Sequence, residues 1–351
     1  MSKPERDPSA GRHMTAEIAE QPAVLAALFA GRNEIVSVAR AVRDRRPRFA
    51  LLAARGSSDH AAMYAKYLVE VLLGLPAGLV SPSTVTLYES EPDLRDVLLV
   101  TVSQSGGSPD LLAVTESARR RGAVTVAVSN TADSPLATAA EFAVSIGAGA
   151  ERAVAATKTY TATLLALYLL VDAVRDGDGK QAAALGQLAE DTLRDCADPV
   201  DEAVGRYRFA DRMVACARGY SYASACESAL KLAETSYLPA RAYSGADLLH
   251  GPVAAVDAET AVLAITSAGR GGEAMREVLD VVHERGADVL AVGSAAASMP
   301  AAHRIVLPEC AEELAPVLEV LPAQRLALGL ALARGVDPDQ PRGLRKVTRT
   351  R

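Results

Sequence analysis

The sequence predicts an α/β protein of two related halves, each a parallel sheet flanked by helices. An internal repeat, the alternation of strands with helices, and the composition carry that expectation. Ala54-Arg55-Gly56-Ser57-Ser58 matches Ala217-Arg218-Gly219-Tyr220-Ser221, with Arg55 and Arg218 163 residues apart. At the same spacing the apolar run Val97–Val102 falls on Thr260–Ile265. One residue further along, Gly122–Val128 falls on Gly286–Val292. Three landmarks in order at nearly constant spacing mark a duplication. Half of the 351 residues are apolar and only 4% aromatic. Such an Ala/Val/Leu-rich chain suits parallel strands covered by helices.

In each half a short apolar strand (Phe49–Ala53; Met213–Ala217) runs into a glycine turn and then a helix. A second strand, a Ser- or Gly-rich turn, another helix and a third strand follow. That alternation implies parallel strands joined by right-handed crossovers. Helices are expected near 22–42, 155–175, 180–207 and 313–334. The domains are expected as a disordered arm at 1–15, a first domain at 16–195, a second at 196–335 and a tail at 336–351.

A net charge of −6 without a basic stripe argues against a nucleic-acid partner. The local basic cluster is the tail: Arg342, Arg345, Lys346, Arg349 and Arg351. The opening MSKPERDPSAGRHM has no apolar core region, unlike a secretory leader, and Met14 is an alternative start. Every long apolar run is interrupted by charge before the roughly 18 residues that a membrane span needs, so no membrane partner is expected. Cys196, Cys216, Cys226 and Cys310 are scattered without CxxC or zinc-like spacing. They are expected as structural thiols in a cytoplasmic chain with no metal and no cofactor.

Two segments carry chemistry. Val102-Ser103-Gln104-Ser105-Gly106-Gly107-Ser108-Pro109-Asp110 lies where a buried strand ends and a helix begins. Pro109 suits the first helical turn, and a helix N-terminus at the carboxyl end of a parallel strand favours an anion. The hydroxyls of Ser103, Ser105 and Ser108 and the Gln104 amide add neutral donors. The loop is neither a Walker loop nor GxGxxG, so a phosphate monoester is a better fit than a nucleotide; an ordinary capped turn is the plain alternative. The second half has Thr266-Ser267-Ala268-Gly269-Arg270-Gly271 at the matching place, with fewer hydroxyls.

The second segment is SYASACESALKLAETSYL, 221–238. On a helix Glu227, Lys231 and Glu234 share one face, either as surface ion pairs or as a carboxylate base tuned by an ammonium. Downstream, Leu249-His250-Gly251-Pro252 fixes a histidine in a tight turn.

Taken in order, Arg-Gly-Ser-Ser (55–58), Ser-Gln-Ser-Gly (103–106), Ala-Ala-Thr-Lys-Thr-Tyr-Thr (155–161), Glu-Ser-Ala-Leu-Lys-Leu-Ala-Glu (227–234), Leu-His-Gly-Pro (249–252) and Asp-Gln-Pro-Arg-Gly-Leu-Arg-Lys-Val-Thr (339–348) resemble one family. It is the isomerase half of glutamine–fructose-6-phosphate aminotransferase, a pair of SIS (sugar isomerase) domains. The resemblance spans residues 16–348. It implies two flavodoxin/Rossmann-like three-layer αβα domains and a sugar-phosphate substrate. By that resemblance Ser58, Ser103, Gln104, Ser105 and Ser108 would hold the phosphate, and Gly56, Ser57, Ala155 and Thr157 would line the sugar. Glu234 would move a proton between C1 and C2, and Glu227 would orient hydroxyls or the amine. Lys231 would stabilise enolate-like charge. His250 would assist ring opening across a homodimer, and Lys346 would form a Schiff base.

Two departures stand out. No counterpart of the family's glutaminase domain is expected ahead of MSKPERD, and Ala233 and Leu249 stand where the family commonly has lysine. The expected function is therefore an amino-sugar-phosphate isomerase/deaminase converting glucosamine 6-phosphate to fructose 6-phosphate and ammonia. The alternatives are a relative acting on another amino-sugar phosphate or on fructosamine 6-phosphate, a synthase using a separate glutaminase, and a non-catalytic sugar-phosphate sensor.

Overall fold

A computed structural model describes residues 9–346. Two compact units emerge. One comprises Ala23–Ala150 and Lys158–Ala184; the other comprises the described part of Met1–Pro22, Glu151–Thr157 and Leu185–Lys346. The division is interleaved, whereas the sequence suggested a boundary near residue 195. Arg349 and Arg351 lie outside the described residues, as do positions 1–8. The helix Arg12–Ala30 begins inside the segment expected as a disordered arm, and Met14 is fully buried.

The first unit holds β1 (Phe49–Ala53), β2 (Ala77–Leu79), β3 (Val97–Val102), β4 (Val124–Ser129) and β5 (Phe142–Ser145), in the order β2-β1-β3-β4-β5. The second holds β6 (Met213–Ala217), β7 (Ala240–Ser244), β8 (Ala261–Ile265), β9 (Asp288–Gly293) and β10 (His303–Val306), in the order β10-β9-β8-β6-β7. All pairings are parallel. Read from the other edge, the second order is the first, and both are the flavodoxin-like arrangement. β1, β3 and β4 begin at residues 49, 97 and 124, and β6, β8 and β9 begin 164 residues later at 213, 261 and 288.

The central strands are apolar runs because both faces are covered: every residue of β4 and β8 is buried. Four strands escaped the sequence reading. β2, β5, β7 and β10 are edge strands of three to five residues, half exposed, without a continuous apolar run to betray them.

The expected helix at 180–207 is a short 3-10 turn followed by Leu185–Asp195 and Ala197–Tyr207. The helix Ala315–Ala333 is buried on nearly all sides, and within Glu312–Ala333 it is long and apolar enough to cross a membrane by length and composition. Most of that stretch is buried inside the protein, so it serves as a core helix. Two polar residues within it, Glu319 and Gln324, are fully buried.

Leu99 on β3 is 1% exposed and packs with Leu111, Val114 and Ala118 of the helix Pro109–Arg120. Leu99→Ala is expected to cost about 2–5 kcal/mol through lost burial and a cavity, read as a lower urea midpoint with an unchanged m-value.

Candidate functional site

The helix Tyr222–Ser236 follows β6 through the Arg218-Gly219 turn, where Gly219 takes φ 62°. It brings Glu227, Lys231 and Glu234 together as their spacing predicts. The Lys231 side chain is 1% exposed; its Nζ lies 2.6 Å from Glu234 Oε2 and 3.3 Å from Glu227 Oε1. Burial alone would lower the lysine's pKa, but the two carboxylates outweigh it and hold the ammonium above its ordinary value. The carboxylates differ in access: the Glu227 side chain is 1% exposed and that of Glu234 25%. Lys231 is thus sealed in, and any effect it has on a substrate passes through Glu234.

The helix ends at Tyr237, which adopts a left-handed φ of 52°. Its hydroxyl accepts from the Arg342 backbone N–H (2.7 Å), and the Arg342 guanidinium stacks 4.1 Å over its ring. Upstream, Asp337 accepts from the Gly11 N–H and Asp339 from the His13 and Met14 N–H groups, giving the N-terminus of the helix Arg12–Ala30 its anions. These contacts fix the course of the tail. At its end Lys346 Nζ donates to Glu151 Oε2 (2.7 Å) and to the Ala153 carbonyl (2.6 Å).

Glu151 escaped the sequence reading, although a lone acid amid Gly147, Gly149 and a run of alanines was a usable signal. Its Oε1 accepts from the Thr157 N–H at 3.0 Å. Ala155 and Thr157, expected to line the sugar, are 1% and 0% exposed. Thr157 spends its N–H on Glu151 and its carbonyl on Gln324, so its polar backbone is internally committed. The half-exposed residues of this segment are Val154 and Ala156. His250 caps the helix Gly245–Leu249 and is exposed. Its ring makes no hydrogen bond or ion pair among the described residues.

In the other unit, Ser103 to Ser108 join β3 to the helix Pro109–Arg120, with Ser108 at the N-cap and Pro109 in the first turn, as expected. Two serine hydroxyls shape the loop: Ser103 Oγ accepts from the Gly106 N–H (3.2 Å) and Ser105 Oγ from the Gly107 N–H (3.4 Å). Gly106 has φ 63°, and a Cβ there would overlap Ser134, so only glycine fits. Ser103 is buried, while Gln104, Ser105 and Ser108 are half-buried. The Arg-Gly-Ser-Ser turn is tied to this loop's helix by Arg55 Nε, 2.8 Å from the buried Asp110 Oδ2. Ser57 and Ser58 open the helix Ser57–Leu68 behind Gly56, whose φ is 58°.

The matching loop of the second repeat is already filled by the protein's own carboxylates. Glu312 accepts from the Arg270 N–H (3.1 Å) and the Gly271 N–H (2.8 Å) at the start of the helix Arg270–Glu284. Glu319, 0% exposed, accepts from Ser221 Oγ (2.7 Å) and Ser224 Oγ (2.6 Å). The helix N-terminus that would attract a phosphate has an internal anion. Only the position of the loop was legible; the acids come from a segment about 40 residues downstream.

The four cysteines form no disulfide, and burial pushes Cys216 and Cys310 up to about 12.

Burial raises Glu319 above its ordinary 4.5, against the pull of its serine partners. A raised carboxyl stabilises the fold below its unfolded value and loses that contribution as pH rises through its folded value. Glu319→Gln should therefore gain stability relative to the parent chain as pH rises above the ordinary carboxylate value of 4.5, followed as the difference in Tm. A constant difference would count against the raised value.

Comparison with known proteins gives a consistent result. The SIS domain model matches residues 45–173 and 207–334. The glutamine–fructose-6-phosphate aminotransferase of Pseudomonas aeruginosa is 33% identical over 95% of this chain and 58% of its own length. The chain thus spans a little over half of the curated relatives it matches. Among solved structures, a candidate phosphosugar isomerase from Silicibacter pomeroyi DSS-3 superimposes with a TM-score of 0.84 at 33% identity, covering 93% of this chain and 99% of that one. The C-terminal domain of glucosamine–fructose-6-phosphate aminotransferase from Francisella tularensis gives 0.83 at 25% identity, covering 94% and 98%. The chain belongs to the SIS domain family and carries two copies of that domain.

Proposed function

We propose that this chain is a phosphosugar aldose–ketose isomerase that deaminates glucosamine 6-phosphate to fructose 6-phosphate and ammonia. The observation that carries the reading is the buried Glu227–Lys231–Glu234 cluster, in which one carboxylate of the pair is accessible. An isomerase needs one base that takes a proton from C2 of the open-chain sugar and returns it to C1. Glu234 suits that task because its partner Lys231 keeps a positive charge beside it. Moving the proton converts the 2-amino aldehyde into a C2 imine. Water then adds to the imine and ammonia leaves, so aminosugar phosphate plus water gives ketose phosphate plus ammonia.

The serine loop 103–108 and Ser58 would take the phosphate, with neutral donors and a helix N-terminus rather than fixed cations. Lys346 would meet the carbonyl carbon. His250 would serve ring opening from a second subunit of a homodimer, which its exposed position favours. Placement in the cytoplasm belongs to the same reading.

A second reading rests on the 33% identity to the aminotransferases. The chain would then run the reaction towards amino sugar with ammonia supplied by a separate glutaminase. Incubation with glucosamine 6-phosphate should release ammonia and fructose 6-phosphate in equal amounts. Absence of both while another phosphosugar turns over, galactosamine 6-phosphate or a fructosamine 6-phosphate included, would sink the leading reading. Net synthesis only with added glutaminase and glutamine would favour the second.

Glu234→Gln should lower kcat by about 10²–10⁴ with phosphosugar binding retained. A variant that loses binding while the parent chain shows no turnover would instead mark a sugar-phosphate sensor.

A further inference from the structure

We propose that Glu151 is the positioning residue for the Lys346 amine, an inference that rests on Lys346 being the carbonyl-binding lysine. Glu151 is held on both sides. The Thr157 N–H fixes Oε1, which leaves Oε2 aimed at Lys346 Nζ, and the Glu151 side chain is 0% exposed. The Ala153 carbonyl takes a second proton of the same ammonium. That carbonyl is itself placed, because Glu17 accepts from the Arg152 and Ala153 N–H groups. Burial raises Glu17 above its ordinary value, with Glu151 adding to the rise and Lys346 opposing it. Gln21 and Gln324 complete the support through the Thr157 carbonyl. Two neighbouring buried carboxylates are costly without a cation, and the tail supplies one.

The charge balance of imine formation suits this arrangement. An ammonium and a ketone give a protonated imine and one water, with no net proton change. The nitrogen carries positive charge before and after, so one fixed carboxylate serves as counter-ion to both without reorganising. Glu151 can therefore hold Nζ in place through the step, and Lys346 retains 26% side-chain exposure, enough for a sugar carbonyl to reach it.

The test compares Glu151→Gln and Glu151→Asp with the parent chain. Fructose 6-phosphate is added, the imine is reduced with borohydride, and the adduct on Lys346 is followed by peptide mass mapping. Trapping and kcat are expected to fall about 100-fold in E151Q, the cost of misplacing a reacting group by about 1 Å. KM should stay within about threefold, and E151D should recover part of the loss. Acetylation of Lys346 by acetic anhydride without sugar should rise several-fold in E151Q, while buried Lys231 stays unlabelled and so reports an intact fold. Trapping at the parental rate, or unchanged Lys346 acetylation with Lys231 protected, would overturn the role of Glu151. A parent chain that turns sugar over but never yields a Lys346 adduct would overturn Lys346 instead, and acetylation would still report whether Glu151 holds the amine.

Discussion

A lysine ammonium taken out of water has to be met by opposite charge, and Lys231 imposes that condition on the helix that carries it. Its side chain is almost wholly buried, so an unpaired charge there would be prohibitive. Glu227 one turn before and Glu234 one turn after supply the compensation. The result is asymmetric: one carboxylate is sealed in with the lysine and the other keeps a face open. A structural necessity, pairing a buried cation, thereby leaves an accessible carboxylate with a permanent positive neighbour.

The same physics separates the two repeats. Both present a helix N-terminus at the carboxyl end of the third strand in sequence, and both such ends favour an anion. In the second repeat the anion is internal: Glu312 takes the helix N–H groups and Glu319 takes the serines. In the first repeat the corresponding loop is built from serines and glycines, and its helix carries Asp110 inward to Arg55. Duplication kept the scaffold, and two glutamates from one downstream segment decide which copy is already satisfied.

The tail is a third instance of charge organising position. Asp337 and Asp339 bind a helix start, Arg342 stacks on Tyr237, and Lys346 ends on Glu151. Tyr237 links helix and tail, since it closes the helix of Glu227, Lys231 and Glu234 and anchors the tail that carries Lys346. A non-glycine residue in the left-handed region costs on the order of 1 kcal/mol, and the stacking and hydrogen bond at Tyr237 offset that cost.

The duplication, the parallel α/β class, the central strands (β1, β3 and β6 to the residue, β4, β8 and β9 to within two) and the helix bringing Glu227, Lys231 and Glu234 together were legible in the sequence. Each rests on local periodicity or on self-similarity, which a chain displays without folding. The short edge strands, the interleaved unit boundary, the buried positions of Ala155 and Thr157, and the partners Glu151, Glu312 and Glu319 were decided by tertiary structure alone. The physical reason is the same in each case. Burial and pairing depend on segments far apart in the chain, Lys346 and Glu151 being 195 residues apart. No local pattern records which distant charge a buried group will meet.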